Sequence, residues 1–566
     1  MNEPKFPHSL ARSATITGRS AFLQLLQDEG VDHLFGNPGT TELAIMDALV
    51  EHPGLEYILG LQEAIVVAMA DGYARASGRL AACNVHVAPG LGNAMGSLYN
   101  AKFYGSPMLI TAGQQELGHG LTEPLLYDPL VPIAQPMVKW AIEVSRLQDL
   151  PRIVHRAAKV ATTAPTGPVF ISLPGDILDA EGPLDLGTPT RVDTRTRPSD
   201  AALSQLADRL LRAKNPALIA GHELATRDAL REAADLAETL GAPVFQQTVP
   251  YAAHFLSDHP AFMGSLTRNQ QQVRAALQPH DVLVFLGADV LRMSVYSAID
   301  AMPDGAAIIQ INERDWELGK NYPAEIAIKA DVGESLRALI PVLRAKMSAE
   351  RKSAAAQKLK DIACSNWTAK RAQLTASLQQ ASQARPMDPR VLMMHISDTV
   401  PADVVVVEEG LTSTFSLPSL LRFRDAQGFY GLASGGIGFA MAGAVGISVG
   451  LPNRPVVAIV GDGSAMYSIQ ALWTAAHLKR PITYVIPNNR SYRILKERQM
   501  ARRGNDRFIG MDLRDPEIDF VALAQSLGVP AQRVTDPADI PGVLHQAIAS
   551  GGPNLIDVSV ADGFGA

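Results

Sequence analysis

The chain has 566 residues, 47% of them apolar, with 57 acidic against 50 basic residues and a net charge of −7. Such a length implies two to four domains, and so mild a charge, without a basic stripe interleaved with aromatics, argues against a nucleic-acid partner. Cys83 and Cys364 are the only cysteines, too few for a disulfide framework or a cysteine zinc site, which suits a reducing cytoplasm.

The opening "MNEPKFPHSLARSAT" lacks the apolar run of a secretory signal. From there, strand-like and helical segments alternate, the pattern of α/β domains with parallel sheets. "DHLFGNPG", "LEYILGLQEA", "AACNVHVAPG", "PMLITAGQQ" and "GPVFISLPGDI" each end an apolar run in a Gly- or Pro-containing turn. They assign residues 1–185 to one domain. After the Pro- and Arg-rich "GTPTRVDTRTRPSD", a second series, "NPALIAGHEL", "APVFQQ", "DVLVFLGADV" and "AAIIQIN", fills 195–345. Residues 346–384, charged and rich in Ala and Gln, read as an exposed helical connector. A third α/β unit occupies 385–566 and contains "DVVVVEEG".

Within it, Gly435 to Pro452 is nearly free of polar residues and close to membrane-spanning length. Its glycines instead predict a helix packed tightly against a neighbour or a ligand. The stretch from Gly461 to Tyr492 reads as a βαβ unit: strands end at Val460 and Ile486, with one helix predicted over Ala465 to Leu478. Both strands then deliver Asp462 and Asn489 to carboxyl ends, where open α/β sheets bind ligands. A carboxylate, an amide oxygen and a backbone carbonyl are hard donors that suit magnesium or calcium, and Gly463-Ser464 offers backbone N–H groups to a phosphate. The same spacing also fits two plain turns, with Asp462 as a helix cap.

Gly461-Asp462-Gly463, then 464–487, then Asn488-Asn489, taken together with "GNPGTTEL" and "LQEA", resembles the thiamine diphosphate-dependent enzymes of the pyruvate oxidase and decarboxylase group. "FGNPGTTEL", "GLGNAMG", "TAGQQ", "VKW", "GGIGFA" and "GDGSAMYSIQALWTAAH" are most similar to benzoylformate decarboxylases. The resemblance implies three doubly wound parallel-sheet domains (pyrimidine-binding, central and diphosphate-binding), and a homodimer or homotetramer with active sites between subunits. It also implies thiamine diphosphate and Mg2+ as cofactors. The sequence leaves room for FAD, which some carboligases of the group carry in the central domain.

By the same resemblance, Glu63 is the acid that hydrogen-bonds the aminopyrimidine, His86 shuttles protons, and Thr40 supplies a hydroxyl to the substrate carboxylate. Asp462, Asn489 and the carbonyl of Ser491 are the expected magnesium ligands. Asn37, Pro38, Asn93, Thr412, Ser413, Gly435, Gly463 and Ser464 are the expected cofactor contacts. Ile437 is the apolar wedge beneath the cofactor. Ser294, Ile494, Leu495 and Arg498 line the substrate pocket, Ile494 also standing beside the thiazolium.

The chain departs from the benzoylformate pattern at four places. Ser294 stands where a second histidine is expected, Ile494 where a small residue is, Arg498 where an aromatic is, and Gly431 where a pocket phenylalanine is. Bulk at Ile494 narrows the pocket, and an arginine suits a second anionic group on the substrate. The leading expectation is decarboxylation of a 2-keto acid to an aldehyde and carbon dioxide. A carboligase resembling acetolactate synthase is the alternative, and loss of the second histidine favours it. A nicotinamide oxidoreductase is disfavoured, because "GLGNAMG" spaces its glycines one residue too long and no acid follows at the next strand tip. An inactive cofactor-binding subunit would have a disrupted Glu63 or metal motif, and both are intact.

Overall fold

The computed structural model describes residues 13–380 and 384–564. It holds three six-stranded sheets, all parallel, and a two-stranded antiparallel pair, Ser13–Thr17 with Glu181–Asp185. Two compact units result.

The first unit takes in residues to Asp193 with Ser434–Pro452 and Tyr467–Arg480. Its sheet runs Glu56–Leu59, His33–Gly36, Ala81–Val85, Met108–Gln114, Val169–Pro174, Ala141–Glu143. In order of appearance along the chain, these strands lie 2-1-3-4-6-5. The helix Ala440–Gly450 packs on the helix Glu63–Ser77. A Cβ at Gly446 would collide with the Met69 carbonyl, and one at Gly72 with that of Gly443. The glycines predicted to mark tight packing therefore let two backbones touch, and among the described residues no helix is long and apolar enough to cross a membrane. Beside this seam, Arg75 Nε and Nη2 donate to the two oxygens of Asp71 at 2.8 and 2.7 Å. The Asp71 carboxylate also accepts from Asn100 and Ser106, while Tyr104 and Phe439 rings face the guanidinium at 4.1 and 4.3 Å. Breaking a buried pair of this kind costs about 3–5 kcal/mol.

The second unit holds the other two sheets. One runs Phe262–Ser265, Val244–Gln246, Pro216–Ala220, Val282–Leu286, Ala307–Asn312, Ile326–Lys329, a 3-2-1-4-5-6 winding. The other runs Phe429–Gly431, Val405–Glu409, Val456–Val460, Ile482–Asn488, Asn554–Ser559, Ala531–Val534. That is again 2-1-3-4-6-5. The predicted connector is helical over Ala349–Ala363 and Trp367–Gln380. It is not wholly exposed, since Trp367 and Leu378 are buried and Trp367 Nε1 donates to the Pro418 carbonyl.

One predicted element is corrected. The helix expected over Ala465 to Leu478 is two short helices, Asp462–Ala465 and Ala471–His477, separated by a turn. The turn exists because the second piece belongs to the first unit: Ser468 Oγ donates to the Gly438 carbonyl and Thr474 Oγ1 to that of Leu59. These are tertiary hydrogen bonds that helical composition does not report.

Candidate active site

In a 2-1-3-4 winding the direction of travel reverses between the first and third strands, and ligands bind outside the carboxyl ends there. In the first unit those ends are Gly36 and Val85, immediately before Asn37–Thr40 and His86. In the second unit they are Glu409 and Val460, immediately before Thr412–Ser413 and Asp462–Ser464. Asn37–Thr40, His86, Thr412–Ser413 and Asp462–Ser464 thus sit at two equivalent switch points, while Glu63 and Asn489 follow neighbouring strands that end at Leu59 and Asn488.

In the first unit, Glu63 opens the helix Glu63–Ser77 and is 8% exposed. The cap of that helix is Gln62, whose Oε1 accepts from Ala64 N and Ile65 N at 2.6 and 3.3 Å. Glu63 is therefore not spent on capping; its Oε2 accepts from Asn93 Nδ2 at 3.1 Å. His86 precedes the helix Val87–Tyr104. Its Nδ1 donates to Glu42 Oε2 at 2.7 Å. Glu42 is a residue of this cluster that sequence reading missed. Its buried carboxylate also accepts from Gly39 N, Thr41 Oγ1 and Gly113 N, each at 2.9 Å. The signal was present in "GTTEL", but a glutamate opening a short helix reads first as a cap.

The ring of His86 lies where a Cβ of Gly39 would be, so that glycine makes room for it. Thr41 Oγ1 is 3.2 Å from His86 Nδ1, whereas Thr40 is exposed; the hydroxyl beside the imidazole is Thr41. Asn37 is partly buried, and Pro38 and Asn93 are exposed. Gly435 has φ 84°, a conformation that favours glycine. Ile437 lines a small cavity with Ala68, Gly96, Ser97, Asn100, Gly436 and Phe439.

In the second unit, Asp462, Asn489 and Ser491 are buried together at 4–5% exposure. Asp462 Oδ1 and Oδ2 accept from Gly463 N at 2.8 Å and Arg490 N at 2.5 Å. Asn489 Oδ1 accepts from Ser491 N at 2.9 Å, and its Nδ2 donates to Ser413 Oγ at 3.5 Å. Burial lifts the Asp462 carboxyl to about 6, although it accepts hydrogen bonds from backbone N–H groups. Among the described residues no three His, Cys, Asp or Glu side chains cluster around a metal position. The donors present are hard oxygens from one carboxylate and its neighbours, which fits Mg2+ and not a soft metal. A Cβ at Gly463 would press 2.5 Å from the Tyr492 ring, and Ser464 is buried beside it.

Of nine residues other than glycine with positive φ among the described residues, three lie at the same places. Val87, Leu411 and Arg490 have φ of 40°, 50° and 56°, uncommon for residues other than glycine and an outlier for valine. Each adjoins a predicted site residue: His86, Thr412, and the pair Asn489 and Ser491. Strain of this kind persists where surrounding structure enforces it, commonly at ligand sites.

The helix Arg493–Arg503 carries Ile494, Leu495 and Arg498; Leu495 is 46% exposed. Ser294 is exposed in the loop after Val282–Leu286. The space a phenylalanine at 431 would need is closed: Gly431 N donates to the Tyr251 carbonyl at 3.0 Å, and a Cβ there would lie 3.1 Å from Tyr251 Cα.

FAD does not fit the central switch point, between the strands ending at Ala220 and Leu286. Glu223 fills it: a Cβ at Gly287 would collide with the Glu223 side chain, whose oxygens accept from Glu313 N at 3.2 and 3.1 Å. A dinucleotide's diphosphate would have to displace that carboxyl. Burial, reinforced by Glu313, pushes Glu223 up to about 8. The folded state therefore holds a proton there that the unfolded chain, with an ordinary glutamate, has lost. This stabilisation is complete below about pH 4.5 and disappears as pH rises through about 8. Glu223→Gln, neutral throughout, is expected to flatten the fall in melting temperature between pH 5 and 8. Differential scanning calorimetry across that range checks it, and parallel wild-type and variant curves would refute it.

The three parts of the chain match models of thiamine pyrophosphate enzymes: the N-terminal TPP binding domain over 16–124, the central domain over 203–339, and the C-terminal TPP binding domain over 413–558. The chain belongs to this family. It is 32% identical over 547 residues to the benzoylformate decarboxylase of Pseudomonas aeruginosa, covering 96% of this chain and 98% of that one. It is 28% identical to the acetolactate synthase large subunit of Parasynechococcus marenigrum, covering 97% and 88%. Among solved structures, the thiamine diphosphate-dependent 4-hydroxybenzoylformate decarboxylase of Rhodococcus jostii RHA1 is similar with a TM-score of 0.86 and 30% identity, over 96% of this chain and 99% of that one.

Proposed function

We propose that this protein, with thiamine diphosphate and Mg2+, decarboxylates a 2-keto acid of the benzoylformate type to an aldehyde and carbon dioxide. The observation that carries the reading is the buried Glu63, freed from helix capping by Gln62 and oriented by Asn93. When bound, the cofactor supplies the carbon nucleophile and the electron sink. Glu63 would orient it through a hydrogen bond to its aminopyrimidine and hold the proton exchanged there, Gly435 would accept from the same ring, and Ile437 would give it apolar support. Asp462, Asn489 and the Ser491 carbonyl would hold the metal, and Thr412, Ser413, Gly463 and Ser464 would hold the diphosphate.

His86, with Nδ1 committed to Glu42, presents Nε2 to take and return protons at the substrate and product oxygens. Fixing one ring nitrogen in this way sets which tautomer is available. A homodimer or homotetramer, each copy supplying one half of a cofactor's contacts, is the assembly this reading calls for. The domain limits proposed with it are 1–185, 195–345 and 385–566, joined by 346–384.

Carboligation is the second reading, favoured by Ser294, a residue that cannot deliver a proton as the expected histidine would. A panel of aromatic, short aliphatic and dicarboxylic 2-keto acids separates the two when carbon dioxide and aldehyde are both quantified. Equal amounts are expected. Carbon dioxide without free aldehyde, and a new carbon–carbon product when an acceptor aldehyde is added, would move the assignment to carboligase.

A further inference from the structure

The helix Arg493–Arg503 packs against the turn Leu411–Thr414, and around its start the protein neutralises its own cations. Arg490 donates to Glu517 and Arg493 to Glu497, both at 2.7 Å. Lys496, buried, donates to Asp512 at 2.6 Å, with the Phe508 ring at 5.2 Å. Arg498 is treated differently. It is exposed, it sits in mid-helix away from the last turn where the helix dipole would favour a cation, and it makes no ion pair among the described residues.

A second guanidinium belongs to the same neighbourhood, around the turn that this helix packs against. Arg268 lies in the turn between Phe262–Ser265 and Gln270–Leu277, 5.9 Å from the Phe415 ring at the end of the Leu411–Thr414 turn. It too has no ion pair among the described residues. Its side chain is exposed, yet desolvation lowers its pKa, opposed by Glu408 and assisted by the charge of Arg498. Glu408 compensates poorly, because its carboxyl accepts from Gly410 N at 2.9 Å and from Thr414 Oγ1, and burial raises its own pKa. Two like charges within range of each other repel; an anion held by both removes that cost and gains charge-assisted hydrogen bonds.

We propose that Arg268 and Arg498 form an anion subsite, so that the 2-keto acid this protein takes carries a second anionic group at the end remote from its keto carbon. Arg498 lies four and three residues after Ile494 and Leu495, on the same side of the helix, so the subsite continues the apolar wall that those residues and the exposed Phe415 provide. The inference rests on the 2-keto acid reading above and names its substrate class.

The test compares matched pairs, 2-oxoglutarate with 2-oxopentanoate and 4-carboxybenzoylformate with benzoylformate, in wild type, R268M, R498M and R498K. Wild type is expected to prefer the doubly charged member of at least one pair by kcat/KM, and added salt is expected to weaken that preference. Each methionine variant should lower it about 10- to 100-fold, and R498K should keep part of it. A ratio within one protein cancels losses of folding or cofactor. Wild-type preference for the uncharged member of both pairs, or variants that change both members equally, would overturn the subsite. If no 2-keto acid is turned over with thiamine diphosphate bound, the decarboxylase reading fails by itself. The subsite is then judged by whether glutarate raises the melting temperature more than pentanoate does, and whether R268M and R498M abolish the difference; no difference in wild type rejects it.

Discussion

Glu63→Gln is expected to lower turnover by about 100- to 10,000-fold, the range removed with a positioned proton-transfer group, while the protein still folds and binds thiamine diphosphate. The substitution is close to pure in its effect. Gln62 caps the helix and is untouched, and a glutamine amide at 63 still accepts from Asn93 Nδ2. What it cannot do is exchange a proton with the aminopyrimidine. Steady-state turnover should be measured beside cofactor affinity and melting temperature. Near-normal turnover with cofactor bound would mean that Glu63 is only a packed helix residue and that the mechanism is wrong.

Asp462→Ala is expected to weaken thiamine diphosphate binding in the presence of Mg2+ by on the order of 100-fold or more, since even outer partners of metal ligands are worth 10- to 100-fold. Activity should fall with it and return in part at high cofactor and metal concentrations. A structural effect is superimposed, because Gly463 N and Arg490 N both lose their acceptor. Each buried donor left unpaired costs about 1–3 kcal/mol. Asp462→Asn separates the two effects: it keeps an acceptor for one of the N–H groups but removes the charge that attracts the ion. Isothermal titration with cofactor and Mg2+, alongside the melting temperature of each apo variant, gives the answer. Unchanged cofactor affinity in the Asn variant would return Asp462 to the role of a turn residue.

The strands that carry the site were legible because buried parallel strands are continuous apolar runs that end abruptly in Gly-rich turns, as in "VVAIVGDGS" and "FGNPG". The short edge strands Ala141–Glu143, Phe262–Ser265 and Ala531–Val534 were not, since three or four residues with partial burial leave no run to detect. Glu42 was missed for a different reason: its four hydrogen bonds come from Gly39, Thr41, His86 and Gly113, and two of these lie more than forty residues away. The closing of the position-431 pocket depends on Tyr251 in a distant segment. Spacing reveals what one strand end offers; it does not reveal which loops arrive beside it.

The 2-1-3-4-6-5 winding occurs twice in this chain, once carrying Glu63, Glu42 and His86 and once carrying Asp462, Asn489 and Ser491. The scaffold is therefore indifferent to the chemistry proposed for it: a handful of residues beyond corresponding strand ends gives one copy buried carboxylates and an imidazole and the other a set of oxygen donors. Each copy can drift in its loops without disturbing the winding of its twin. On the reading proposed above, that freedom lets substitutions at Ile494 and Arg498 retune substrate choice in one copy while the acid and imidazole of the other stay as they are.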